Sequence, residues 1–115
     1  MTVVGADTHA TLSGVATGDM TMLEEAIGLR EAQLDATGLD SRTFALVKIA
    51  ALIALDAPPA SYAWQVANAL SDGATPDDIL AVLRAIAPQV GGPRVVAAAP
   101  EIMVALGLAL PDGAE

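Results

Sequence analysis

An all-α fold of five to six helices, built to assemble with copies of itself, is what this sequence predicts. Three observations predict it. Apolar residues recur at helical spacing between clear start and stop signals, with no strand alternation and no repeat of 20–50 residues. Hydrophobic residues make up 54% of the 115-residue chain and charged ones 17%, against roughly 45–50% and 25% in soluble domains. A domain this small leaves much of its surface exposed, so the apolar excess needs a bilayer or a subunit interface. The longest apolar stretch, Phe44 to Leu55, carries Lys48 and falls short of the ~20 residues a spanning helix needs. A homo-oligomeric interface is the better outlet.

The elements follow in order. Residues 1–18 read as a flexible tail, with Gly5, Gly14, Gly18 and no sustained period; a helical turn near Leu12 is the most it would hold. A single domain over 19–110 follows, and 111–115 form a second tail. Thr21-Met-Leu-Glu24 matches a capping box, Leu23, Ile27, Arg30 and Leu34 keep helical spacing, and Gly38 is the expected stop. Asp40 caps a helix over Ser41 to Leu55 that is apolar all round except for Lys48, hence central and buried on most sides. Asp56, Pro58 and Pro59 end it.

A third helix starts near Pro59 with the stripe Ala63, Val66, Ala67, Leu70 and ends at Gly73. Thr75-Pro76-Asp77-Asp78 opens a fourth, with Ile79, Val82, Leu83 and Ile86 as its apolar face and Pro88 as its end. Gly91-Gly92-Pro93 turns into a fifth, Pro93 to Ala99. Pro100 then kinks it or begins a sixth, Glu101 to Leu108.

Charge and composition exclude several functions. The formal net charge is -9, and the five basic residues, Arg30, Arg42, Lys48, Arg84 and Arg94, are scattered. Nucleic acid and anionic membrane surfaces are therefore not expected partners. Absence of cysteine removes disulfides, thiolate nucleophiles and Cys-ligated metals. With no apolar leader at the N-terminus, a cytoplasmic chain without metal or cofactor is the expectation.

The middle of the chain carries a further signal. Leu39 to Thr43 leads into the long apolar helix. After a short polar loop come Gln65-Val-Ala-Asn-Ala-Leu70, then Asp72-Gly-Ala-Thr-Pro-Asp-Asp-Ile79, then Gln89-Val-Gly-Gly-Pro93. This pattern, most specific from Ala69 to Ile79, resembles the carboxymuconolactone decarboxylase-like family, which includes the alkylhydroperoxidase D-type proteins. The resemblance covers about residues 38–100. It implies an alkylhydroperoxidase D-like helical bundle and assembly as a homotrimer or homohexamer with central helices packed together. Members with peroxidase activity carry a Cys-x-x-Cys before the third helix, where this chain has Asp56-Ala-Pro-Pro-Ala-Ser-Tyr62. Gln65 stands where many members have histidine, Ala45 where many have glutamate, and Gln89 where the family has tyrosine. Thiol peroxidase activity is thus disfavoured. The decarboxylase reaction is put in doubt as well, because glutamine does not titrate.

Four residues are candidates for a ligand pocket. Lys48 has no carboxylate within one helical turn. It is either a cation gripping an anionic substrate (the best candidate for a catalytic group) or a structurally paired or snorkelling side chain. Tyr62, Trp64 and Gln65 fall where the family places its site. They line a pocket for a planar ligand, with Gln65 orienting it, or the aromatics anchor core and interface. The expected partners are the chain itself and a small anionic or aromatic ligand. His9, in the tail, reads as solvated. Glu24-Glu25 and Asp77-Asp78 read as helix-start acids, Gly91-Gly92 as a turn rather than a phosphate loop, and Met20 and Met22 as packing residues.

Overall fold

A computed structural model describes residues 3–19, 21 and 30–113. Its elements are helices, with no strand among the described residues, and the chain divides into two units, Met1–Gly38 and Leu39–Glu115. Among the described residues no helix is long and apolar enough to cross a membrane.

In the first unit, α1 runs from Ala6 to Ala16, where a tail was expected. None of its residues is buried, which is why no apolar period announced it. Local bonds close it: Gly18, at φ 100°, donates to the Val15 carbonyl, Asp19 donates to Gly14, and the Thr17 hydroxyl donates back to Ser13 and Gly14. Thr21 is already helical and its N–H donates to the Asp19 carboxylate at 3.0 Å. The expected cap at Thr21 therefore moves upstream. The rest of that capping box, with Leu23, Glu24, Glu25 and Ile27, lies outside the described residues, as do Met20 and Met22. α2 spans Arg30–Thr37 and stops at Gly38, φ 71°, as the sequence predicts.

The second unit is a bundle of four helices: α3 (Ser41–Leu55), α4 (Pro59–Ser71), α5 (Pro76–Val90) and α6 (Gly92–Ala105). α3 is central, packing against the other three. The Asp40 carboxylate accepts from the Thr43 N–H at 2.7 Å, the expected N-cap. α4 ends in a Schellman turn: Gly73, φ 94°, donates to Leu70, and Ala74 donates to Ala69 at 2.9 Å. Thr75 and Asp78 form a reciprocal capping box at the head of α5. Two helix ends differ from expectation. α5 passes Pro88 and runs to Val90, because the carbonyl left without its donor belongs to Arg84, an exposed residue. α6 passes Pro100 without a break, because the carbonyl left without its donor belongs to Val96, on the exposed side of the helix. A fifth and a sixth helix thus become one.

Ala45, Ile49 and Ile53 of α3, Tyr62, Val66 and Ala69 of α4, Ala74, Ile79 of α5, and Ala98 and Ile102 of α6 form one buried cluster. On α4 the buried line is Tyr62–Val66–Ala69; of the expected stripe only Val66 is buried, while Ala63, Ala67 and Leu70 are exposed. α3 is also less covered than an all-apolar helix requires: Val47, Ala51, Ala54 and Leu55 face solvent within the chain.

Candidate functional site

α3 and α4 place the four predicted residues. Lys48 lies one turn after Phe44, and its ammonium sits 4.3 Å from the centre of the Phe44 ring, within the range of a cation–π contact. It is half-buried.

Tyr62 is 1% exposed, a core residue at the start of α4. Burial pushes its phenol above the ordinary range. The carboxylates of Asp56 and Glu101 add to the rise and Arg94 works against it. Phenol ionisation beside two carboxylates is disfavoured, so Tyr62 is a proton-keeping donor near neutral pH. Three charged residues that sequence reasoning passed over therefore bear on it. Asp56 closes α3, Arg94 opens α6, and their charged groups lie 3.7 Å apart on the surface. Arg94 and Glu101, two turns apart on one face of the same helix, were the signal available for two of them.

Trp64 and Gln65 are half-buried, to one side of the buried line Tyr62–Val66–Ala69. With Ser61 and Asn68 they make a polar flank along α4, at i, i+3, i+4 and i+7. Two atoms of that flank, Gln65 Oε1 and Asn68 Nδ2, are buried without a hydrogen-bond partner. An unmet buried polar atom costs about 1–3 kcal/mol, so their presence wants an explanation. Asn68 was not singled out in the sequence, where it reads as an ordinary helix residue.

The other sequence candidates sort out structurally. His9 is exposed on α1. Asp78 does more than cap: besides accepting from Thr75 it binds Arg42 through two nitrogens, Nε at 3.1 Å and Nη2 at 2.5 Å. Hydrogen bonds from Thr75 and Arg42 hold its carboxyl below the usual range. The pair ties the heads of α3 and α5 together. Beside it runs an apolar groove of about 240 Å³, lined by Thr43, Leu46, Val47 and Ala50 of α3 and by Val82, Ala85 and Ile86 of α5. None of the four predicted pocket residues lines it.

Chemically, α3 and α4 carry a half-buried ammonium, indole and pair of amides, with the phenol shut in the core. That set suits holding an oxygen-rich or planar molecule. It contains no thiol, and glutamine cannot relay a proton. A family model described as Carboxymuconolactone decarboxylase family matches residues 22–102, well over half of the chain. No curated protein and no solved structure matches it.

Proposed function

The chain belongs to the carboxymuconolactone decarboxylase family, and from that premise we propose that it is a homo-oligomeric, small-molecule-binding member whose chemistry has diverged. Lys48, Trp64 and Gln65 line its ligand pocket, Tyr62 supports it from the core, and the ligand is a small anionic or aromatic molecule. The observation that carries this reading is the buried, unpartnered acceptor of Gln65, beside the lone tryptophan and one turn beyond the buried Tyr62. A group that costs stability when unmet is explained by a ligand that meets it. Absence of cysteine argues against thiol-based hydroperoxide turnover. Assembly as a homotrimer or homohexamer, in the cytoplasm, completes the reading.

Lys48 favours a second reading, a cofactor-free lyase or lactone-processing enzyme in which the ammonium grips a carboxylate or stabilises a developing oxyanion. Both readings meet in one experiment. Trp64 is the only tryptophan, so its fluorescence reports on the pocket alone. Titration with benzoate is expected to give a saturable change that weakens at least tenfold in Lys48→Met and in Gln65→Leu. No saturable change up to millimolar benzoate, or equal binding by both variants, contradicts the pocket. Turnover of a lactone substrate lost in Lys48→Met decides for the enzyme. Binding without turnover decides for the binder.

A further inference from the structure

We propose that the ligand meets α4 with an uncharged head that both donates and accepts a hydrogen bond, of the carboxamide or lactam class. Gln65 takes its N–H and Asn68 gives to its carbonyl. The proposal rests on the pocket reading above and names the class of ligand that this side of the pocket selects.

The two unmet atoms have opposite polarity. Gln65 Oε1 accepts, Asn68 Nδ2 donates, and both are buried without a partner. They belong to residues three apart on α4, so the two side chains leave one face of one turn with Cβ atoms about 5–6 Å apart. Two buried acceptors would call for a donor alone, such as a cation. Two buried donors would call for an anion. One of each calls for a group that gives and takes at once. The two amides have the polarity to bond each other and do not, so each is left for a third group.

A carboxylate fails that requirement. Ionised, it only accepts; it satisfies Asn68 and sets a second acceptor against Gln65 Oε1. Nor does α4 offer it a counter-charge, because Pro59–Ser71 contains no charged residue. The cation of the proposed pocket, Lys48, belongs to α3, and an anionic end is held there. A carboxamide or lactam carries N–H and C=O side by side in one plane and brings no charge to bury. A water molecule also gives and takes, but it makes no use of the indole. Trp64 stands one position before Gln65 and one turn before Asn68, half-buried on the same flank. Its ring face suits a planar body behind the head.

The test is isothermal titration calorimetry of the full chain with three probes of nearly the same shape: benzamide, acetophenone and benzoate. Acetophenone keeps the carbonyl of benzamide and has a methyl group in place of the amide nitrogen. Benzoate keeps acceptors alone and adds a charge. Wild type is expected to bind benzamide about tenfold more tightly than acetophenone, which leaves the Gln65 acceptor unmet. That preference is expected to vanish in Gln65→Leu. Asn68→Leu is expected to weaken benzamide and acetophenone alike by about tenfold, since both carbonyls lose their donor, and to keep the ratio between them. Each substitution puts an apolar group where a buried polar atom goes unmet, so neither is expected to lower the urea midpoint.

Benzoate binding with benzamide no tighter than acetophenone overturns the donor–acceptor head and leaves the pocket standing. A benzamide preference that survives Gln65→Leu, or benzamide affinity unchanged in Asn68→Leu, overturns the assignment to these two amides. Urea midpoints lowered in both variants with benzamide affinity unchanged show a structural pair bridged by water, and overturn the proposal as well. No binding of any of the three probes overturns both this proposal and the pocket reading it rests on.

Discussion

Asp56 and Tyr62 show what single side chains contribute. Asp56 is the one non-glycine residue with positive φ among the described residues, at 53°. It closes α3 with bonds from its own N–H to Ile53 and from Ala57 N–H to Leu52. Aspartate tolerates that conformation better than most residues, yet glycine adopts it freely. Asp56→Gly is expected to raise stability by roughly 0.5–1 kcal/mol in urea unfolding, since the exposed pair with Arg94 that it removes is worth little. Destabilisation would show that the 3.7 Å pair matters more than its exposure suggests. Tyr62 is the only tyrosine, so phenolate absorbance reads it without interference. Its folded-state value is raised. The stability it contributes is therefore complete below the unfolded value near ~10 and is lost as pH rises through the folded one. Ionisation is expected to begin above pH ~10 and to coincide with alkaline unfolding; a normal midpoint with the fold intact would contradict its burial. Neither feature was legible beforehand. A left-handed Asp at a helix end resembles any Asp before a proline pair, and a core tyrosine is indistinguishable in sequence from one lining a pocket.

At the scale of elements, legibility followed the physics of each boundary. Caps made by side chains, Asp40 and the Thr75–Asp78 box, were readable, as were the glycine stops at 38 and 73. α1 was not, because it is closed by backbone bonds and buries nothing. Pro88 and Pro100 read as stops because proline removes a donor, but whether that ends a helix depends on where the orphaned carbonyl points. On α4 the apolar positions Ala63 and Leu70 disguised a buried line that runs through Tyr62 instead. The head of α5 yields a pH prediction. The carboxyls of Asp40 and Asp78 are held low, each first by the hydrogen bond from a backbone N–H, of Thr43 and of Thr75 respectively. Their contribution is present above the unfolded value, about 4, and is lost as pH falls through the folded ones. The thermal midpoint is expected to drop on acidification below pH ~4, and less steeply in Asp78→Asn. A variant that melts in parallel with wild type would show that this box is not what acid undoes. In the core, Ile79→Ala is expected to cost about 2–5 kcal/mol by urea unfolding, since the side chain is wholly buried.

For the whole molecule the composition was the most informative quantity. An apolar fraction of 54% anticipated more hydrophobic surface than four short helices hide. Val47, Leu55, Val96 and Val104 stand more than half exposed. The family and the all-helical fold were both readable from Ala69 to Ile79 and the turn at Gly91. The ligand side was readable only as a set of residue types, because which amide ends up buried without a partner is decided by packing across helices. That apolar surface is expected to belong to an assembly with further copies of the chain. The mass of the wild-type chain at micromolar concentration by light scattering tests it most directly. An integral multiple of 11.5 kDa above one is the predicted result, and a stable particle of one chain would contradict it.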